Sequence, residues 1–131
     1  MRIERANRGY LHAYQARAKI MAALEQAATL SEGLAAIRRD LRRLWVDRAT
    51  QAIQRWQDRG LVDTELDARY AASSLGSMVD RSAYVWIVLG EPFEEEMAVE
   101  QLTRLYCNAL RIPYHGDLLA SGSGGRLRSR G

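Results

Sequence analysis

Few side chains of this 131-residue chain have the types and spacing that chemistry requires. It contains one cysteine, Cys107, and two histidines, His12 and His115, which lie far apart in the sequence. A metal site needs several ligands at defined spacing, and the Glu-x-x-His pair of di-iron helical bundles does not occur. A glycine-rich phosphate loop and a nucleophile elbow are also absent from the sequence. We therefore predict no metal, no other cofactor and no enzymatic activity.

Two further features have both a chemical and a structural interpretation. Cys107 is either a packed thiol or a redox sensor, and a sensor needs an exposed thiol with a lowered pKa. We favour the packed thiol. The acidic run Glu94–Glu96 suits the positively polarised N-terminus of a helix, and we prefer this to a catalytic role. A single cysteine also excludes an intrachain disulfide, which indicates a reducing compartment and a cytoplasmic protein.

The charge distribution limits the partners that the chain can have. The formal net charge is +3, and all of the 19 basic residues except Lys19 are arginines. Three of the arginines lie in the Gly/Ser-rich segment after Pro113, so the rest of the chain is close to neutral. This distribution predicts no direct contact with nucleic acid. The apolar run at residues 83–89 is far shorter than the roughly 20 residues that span a bilayer, so we expect no membrane contact either.

Apolar residues recur at steps of three and four along most of the chain, which indicates amphipathic helices. The pattern predicts four main helices with short connections, at residues 3–30, 32–59, 65–89 and 92–112. Such an arrangement is an all-α, antiparallel helical bundle. Gly9 weakens the first helix by about 1 kcal/mol relative to alanine and allows a bend there. Pro113 stops the last helix, so we predict a helical domain at residues 1–113 and a flexible Gly/Ser/Arg tail at residues 114–131.

Residues that cap helices mark several of the predicted boundaries. Ser31 can accept a backbone N–H bond at the start of the second helix, and Gly60 can take the left-handed position that ends it. Thr64 with Asp67 resembles a capping box before the third helix. Pro92 suits the first turn of the fourth helix, because proline lacks the N–H group that this turn would leave unpaired.

The apolar run at residues 83–89 has two possible structures. Its β-branched and aromatic residues favour a strand by propensity, but no second strand candidate exists to pair with it, so we predict a helix. This half of the helix is apolar on every side, and a monomer would leave part of it exposed. We therefore predict a symmetric homodimer formed by the last two helices. The predicted interface residues are Ala83, Ile87, Leu102 and Tyr106.

Three stretches of the chain together resemble the C-terminal regulatory domain of TetR-family transcriptional regulators. They are ANRGYLHAYQARAKIMAALEQ at residues 6–26, AIQRWQDRGLV at residues 52–62, and AASSLGSMVDRSAYVWIVLGE at residues 71–91 with EQLTRLY at residues 100–106. The resemblance extends over residues 3–112 and rests on the order and spacing of the stretches. No part of the sequence corresponds to the helix-turn-helix DNA-binding domain with which members of that family begin, so no residue is assigned to operator binding.

The resemblance implies an effector-binding and dimerisation domain that senses a small, largely apolar molecule and acts on DNA through a separate domain. It also implies a ligand pocket inside the bundle, whose occupancy shifts the population between two dimer geometries. Aromatic residues with a few polar groups are typical of small-molecule sites. From the helix faces we predict that the pocket is lined by Tyr10, Tyr14, Met21, Trp45, Tyr70, Ser77, Arg81 and Tyr84.

Several of these assignments have structural alternatives. The aromatic residues and methionines can be ordinary core, because large side chains dominate core packing. Arg81 can bind an anionic ligand, pair within a polar network or pair across the dimer. The arginines at positions 38, 39, 42 and 43 can contact phosphate, although a solvated helix face is the expected arrangement. For the whole chain, the alternative is a stand-alone helical protein-interaction module with a solid core and no ligand.

Overall fold

The computed structural model of the chain describes residues 1–114, which form five α-helices and one π-helical turn. They are α1 (Arg2–Ala16), α2 (Ala18–Ala28), α3 (Glu32–Asp58), α4 (Ala68–Ala83), the π-helical turn (Tyr84–Val88) and α5 (Glu95–Leu110). The all-α class predicted from the sequence is confirmed. The predicted flexible tail lies outside the described residues, except that Tyr114 is buried against the bundle. None of the helices described here is long and apolar enough to cross a membrane.

The first predicted helix is two helices, because the chain breaks at Arg17. Arg17 has φ −120° and ψ 30°, and its N–H donates to the carbonyl oxygens of Ala13 and Tyr14, at 3.2 Å each. Gly9, where the sequence allows a bend, lies inside an unbroken α1. The break lets α1 pack mainly on α5, whereas α2 packs on α3 and on the π-helical turn. The prediction of one helix at 3–30 is wrong because apolar spacing continues across a break that tertiary packing imposes.

Local hydrogen bonds set two helix boundaries as the sequence predicts. Ser31 Oγ accepts the N–H of Leu34 at 3.3 Å and so caps the start of α3. Gly60 has a φ of 71°, which confirms the predicted left-handed residue after α3. The predicted capping box before the third helix is wrong. Asp67 alone caps α4, because its carboxylate accepts the N–H of Tyr70 at 3.0 Å.

The apolar run at residues 83–89 is helical, as predicted, but part of it forms a wider turn. In the π-helical turn the N–H of Leu89 donates to the carbonyl oxygen of Tyr84 at 3.0 Å, five residues back. Within this turn, Trp86 stacks on Phe93 with ring centroids 5.5 Å apart. Gly90 then takes a φ of 79° and ends the helical segment. Because π-helical turns close with this longer spacing, they change the direction in which the following side chains point.

The acidic run supplies the cap of α5. The carboxylate of Glu94 accepts the N–H groups of Glu96 and Met97, at 3.3 and 2.9 Å. These contacts agree with a role of the run at the positive end of a helix. Pro92 lies before the helix rather than in its first turn, since the backbone is still extended at Glu94.

Two clusters of buried side chains hold the helices together by removing apolar surface from water. The first cluster joins the second half of α3, α4 and the end of α5. Its buried members include Val46, Ile53, Leu75, Cys107 and Leu110. The second cluster joins α1, the end of α4 and the first half of α5. Its buried members include Leu11, Tyr14, Val79, Ala83, Val99 and Leu102. The first half of α3 extends beyond both clusters, so Ile37 and Leu44 remain 53% and 56% exposed.

Polar contacts fix α1 on α5 in addition to packing. Asn7 Nδ2 donates to Thr103 Oγ1 at 3.1 Å, and both side chains are buried. At the surface Arg8 forms a bidentate pair with Glu96, at 2.6 and 3.1 Å. The hydrogen bonds of this pair raise the pKa of Arg8 and lower the pKa of Glu96. The hydroxyl group of Tyr10, also on α1, donates to Asp80 of α4.

Candidate ligand-binding cavity

A cavity of about 490 Å³ lies between α1, α2, the first half of α3 and the second half of α4. Small molecules typically occupy pockets of roughly 300–1,000 Å³, so the cavity has a suitable size. Each of the four helices contributes to its wall, and the surface is more apolar than polar. The lining residues are Tyr10, Ala13, Tyr14, Arg17, Met21, Leu24, Glu25, Arg38, Arg39, Leu41, Arg42, Trp45, Ser77, Asp80 and Arg81.

Three aromatic rings, those of Tyr10, Tyr14 and Trp45, form an aromatic wall on one side of the cavity. The rings of Tyr10 and Trp45 meet edge to face, with centroids 4.9 Å apart and an interplanar angle of 87°. Tyr14 lies next to Tyr10 at 5.9 Å between centroids. Across the cavity, α2 contributes the apolar side chains of Met21 and Leu24. This part of the cavity suits an apolar or aromatic body.

Four charged side chains, those of Glu25, Arg38, Asp80 and Arg81, form a charged network beside the aromatic wall. Arg38 donates to the carboxylate of Glu25 and lies 3.9 Å from that of Asp80. Arg81 lies 3.9 Å from the second oxygen of Glu25. The hydroxyl group of Tyr10 donates to Asp80 and so joins the aromatic wall to the network. Both carboxylates are therefore neutralised within the bundle, as partly buried charges require.

The two phenols of the aromatic wall remain protonated at neutral pH. Burial, with the hydrogen bond to Asp80 and its negative charge, raises the pKa of Tyr10. Burial is also the main cause that raises the pKa of Tyr14 to about 12, and nearby carboxylates add to it. Tyr10 consequently stays a hydrogen-bond donor, which keeps its contact with Asp80 intact.

Arg42 differs from the other arginines around the cavity in the acceptors that it uses. Its Nη2 donates to the carbonyl oxygen of Ser73 at 2.9 Å, to Ser73 Oγ at 3.0 Å and to Ser77 Oγ at 2.7 Å. All of these acceptors are neutral, and no carboxylate among residues 1–114 pairs with this guanidinium. Arg39, in contrast, pairs with Glu32 at 2.8 Å.

The structure brings together six of the eight residues predicted to line a pocket. Tyr10, Tyr14, Met21, Trp45, Ser77 and Arg81 lie around the cavity, and their role in binding a ligand stays a prediction. Tyr70 does not line the cavity, because it lies in the first turn of α4 and is 77% exposed. Tyr84 packs against the second cluster instead, and its ring lies 4.7 Å below the guanidinium of Arg81.

Charged residues of the lining are the main part of the site that the helix faces did not predict. Arg38 and Arg42 were expected on a solvated face, and the structure instead places them at the cavity with partners on other helices. The sequence did contain a signal for these two arginines. Arg38 lies seven residues and Arg42 three residues before Trp45, so both share its helix face. Glu25 and Asp80 carried no comparable signal, since their partners are distant in the sequence.

Two of the four predicted dimer residues cannot contact a second subunit. Ala83 is fully buried and Leu102 is 2% exposed, because both belong to the second cluster of the single chain. This part of the interface prediction is corrected. Ile87 and Tyr106 are partly buried and keep some surface. The apolar surface of the last two helical segments is instead contributed mainly by Leu89, Met97 and Leu105, at 63%, 54% and 53% exposure.

The remaining chemical candidates have structural explanations. Cys107 is completely buried in the first cluster, and burial raises the pKa of its thiol. A protonated, inaccessible thiol fits the packed rather than the redox-sensing interpretation. Within residues 1–114, no three His, Cys, Asp or Glu side chains are grouped so that they could hold a metal ion.

The helical fold encloses a cavity between four helices, and comparison with protein families identifies the type of domain. The family model described as the C-terminal domain of the transcriptional regulator EthR matches residues 3–111. The chain therefore belongs to this family of TetR-type C-terminal domains, as the resemblance in its sequence predicts. A comparison with curated proteins gave no match. Membership in the family makes the chain a regulatory, ligand-binding domain of a transcriptional regulator.

Proposed function

We propose that the cavity binds a small, largely apolar effector and that the domain transmits its binding to a dimeric TetR-like regulator. The observation that carries this proposal is the 490 Å³ cavity on a chain of the EthR C-terminal family. The aromatic wall with Met21 and Leu24 supplies apolar contact area, and Ser77 and Arg81 supply a few polar groups. The alternative of an interaction module with a solid core has less support, because a cavity of this size lies between four helices.

The path from the cavity to the rest of the molecule runs through α4 and the π-helical turn. Asp80 and Arg81 line the cavity, and Arg81 stacks on Tyr84 in the π-helical turn. The same turn carries Trp86, which stacks on Phe93 just before α5. An effector that binds one arrangement of α4 better than another shifts the population towards it. The difference between its affinities for the two arrangements therefore limits the population shift, and with it any change in the position of α5.

Dimerisation is the second part of the proposal. Domains of this family typically dimerise. Leu89, Met97 and Leu105 are exposed, and the last two lie eight residues apart on one face of α5. An exposed apolar face of this kind is a surface that a second subunit with twofold symmetry would cover. Ile87 and Tyr106 belong to the proposed interface with these residues.

A fluorescence titration with the neutral dye phenylnaphthylamine tests effector binding. The dye is apolar and becomes fluorescent when it leaves water, so we expect saturable binding to the wild-type domain. Ala13→Trp places a large ring in the cavity, since Ala13 lines it, and is expected to weaken binding at least about tenfold. Ala6→Trp is the matched control, because Ala6 is an exposed residue of α1 outside the cavity. Equal dye affinity in all three proteins would locate the dye elsewhere and contradict the proposal.

A further inference from the structure

We infer that the effector is an amphipathic organic acid, whose acidic group is bound by Arg42 and whose apolar body lies against the aromatic wall. This inference rests on the proposed function of the cavity and specifies the chemical class of its ligand. Arg42 and Trp45 lie three residues apart on α3 and both line the cavity. A single molecule can therefore contact an apolar surface and a cation at the same time.

The balance of charge around the cavity favours an anion. Five arginines line it, against only two carboxylates, those of Glu25 and Asp80. Both carboxylates are already neutralised by Arg38 and Arg81 in the charged network. A cationic ligand would find no free carboxylate among the described lining residues, whereas an anion would find a positive potential.

Arg42 is the cation best placed to bind the acid. It is partly buried, and its Nη2 makes all three of its hydrogen bonds, to oxygens of Ser73 and Ser77. Its Nη1 and Nε have no acceptor among residues 1–114, so they can donate to an incoming carboxylate or sulfonate. The serines also hold the guanidinium in position, which lowers the entropy that binding would otherwise lose.

The other arginines of the lining are less suitable. Arg38 and Arg81 are committed to the charged network, and Arg39 pairs with Glu32. Arg17 has no carboxylate partner among the described residues, but it is exposed at the break between α1 and α2. Water and salt screen an exposed cation, so its attraction for an anion is weak.

Two dyes with the same rings and different charge test this inference in the full chain. Anilinonaphthalene sulfonate carries one sulfonate, and phenylnaphthylamine is its neutral counterpart. The quantity measured is the ratio of their affinities, because the intrinsic hydrophobicity of each dye cancels when variants are compared. We expect Arg42→Gln to lower the affinity for the sulfonate about tenfold and to leave the affinity for the neutral dye unchanged, since a charge-assisted hydrogen bond is lost.

Two further variants separate the charge of Arg42 from its structural contacts. Arg42→Lys keeps a positive charge at this position and should retain most of the preference for the sulfonate. Arg43→Gln removes the charge of an exposed neighbour that does not line the cavity, and should bind both dyes as the wild type does. Thermal unfolding of each variant shows whether it is folded at the temperature of the titration.

The outcomes distinguish this inference from the proposed function. If Arg42→Gln and the wild type have the same affinity ratio, the cavity binds apolar molecules without recognising an acid, and only the inference is overturned. If Arg43→Gln lowers the ratio of sulfonate to neutral-dye affinity as much as Arg42→Gln does, the sulfonate is attracted by surface charge in general. This result would also overturn the inference. If the wild-type domain binds neither dye, the proposed effector site itself is rejected.

Discussion

At the scale of single residues, two hydrogen bonds between side chains of different helices satisfy polar groups in the interior. Asn7 bonds Thr103, and Tyr10 bonds Asp80, so neither contact leaves a buried donor without an acceptor. An unpaired buried polar group would cost about 1–3 kcal/mol, which is a large part of the stability of a small domain. Burial is the main cause of the raised pKa of both Tyr10 and Tyr14, but for Tyr14 no hydrogen bond adds to it.

The raised pKa of Tyr14 predicts that the domain loses stability between pH 10 and about 12. Below pH 10 the phenol is protonated in both folded and unfolded chains, so its contribution is fully present. Above pH 10 the unfolded chain loses this proton, while the folded chain keeps it until about pH 12. The unfolded state then binds fewer protons, and the free energy of unfolding falls with pH by a total of roughly 2–3 kcal/mol.

Urea unfolding at several alkaline pH values measures this dependence. Tyr14→Phe has no ionisable group at this position, so its free energy of unfolding should fall less steeply than that of the wild type. Tyr70→Phe removes a phenol that is 77% exposed and should follow the wild-type profile. Parallel profiles for the wild type and Tyr14→Phe would mean that Tyr14 does not contribute to the alkaline loss of stability.

At the scale of the helices, two glycines have opposite roles. Gly9 lies in the middle of α1, where alanine is the better helix former. Gly90 follows the π-helical turn with a φ of 79°, a conformation that residues with a Cβ rarely adopt. A Cβ atom built at either position has no neighbour within 4 Å, so packing does not decide the effect of a substitution.

Alanine substitutions at these glycines should therefore change stability in opposite directions. Gly9→Ala is expected to raise the free energy of unfolding by about 0.5–1 kcal/mol through helix propensity. Gly90→Ala is expected to lower it by about 1–2 kcal/mol, because alanine is strained at positive φ. Urea unfolding of the two variants beside the wild type measures both effects. A neutral Gly90→Ala would show that the chain after the π-helical turn can adopt another conformation without cost.

The sequence predicts helix ends well where a local hydrogen bond or a glycine sets them. Ser31 and Gly60 act as expected, because each requires only neighbouring backbone groups. The break at Arg17 could not be predicted, since neither glycine nor proline marks it and the apolar spacing continues through it. It is set by the different packing partners of the two helices, since α1 packs mainly on α5, whereas α2 packs on α3 and on the π-helical turn.

The sequence predicted the apolar half of the candidate site and only part of its polar half, namely Ser77 and Arg81. A helix face identifies Tyr10, Tyr14 and Trp45 because they follow the helical period, but it does not show how far along a helix a cavity extends. Tyr70 was placed in the pocket for this reason. The charged network was missed because Arg38 finds its carboxylates on α2 and α4, and only the packing of three helices brings them together.

At the scale of the whole molecule, the exposed apolar surface of the described residues includes two separate faces. One face is on α3, where Ile37 and Leu44 lie beyond the two clusters, and the other is on α5, with Met97 and Leu105. The second face lies on the helix that follows the π-helical turn and Phe93, whose ring stacks on Trp86 of that turn. The proposed dimer uses this face, so that binding in the cavity and association of the subunits can influence each other reciprocally.

Matched substitutions on the two faces decide which one forms the dimer. Leu105→Glu and Leu44→Glu introduce the same charge at side chains that are 53% and 56% exposed, so neither should prevent folding. In a twofold interface each substitution occurs twice, and burying a leucine contributes about 1.5–3 kcal/mol. Leu105→Glu should therefore raise the dimer Kd by roughly a hundredfold or more, whereas Leu44→Glu should leave it unchanged.

Sedimentation equilibrium over a range of concentrations measures both values, and circular dichroism checks that the helices are intact. Dissociation by Leu44→Glu alone would move the interface to α3 and would separate dimerisation from the path through α4 and the π-helical turn.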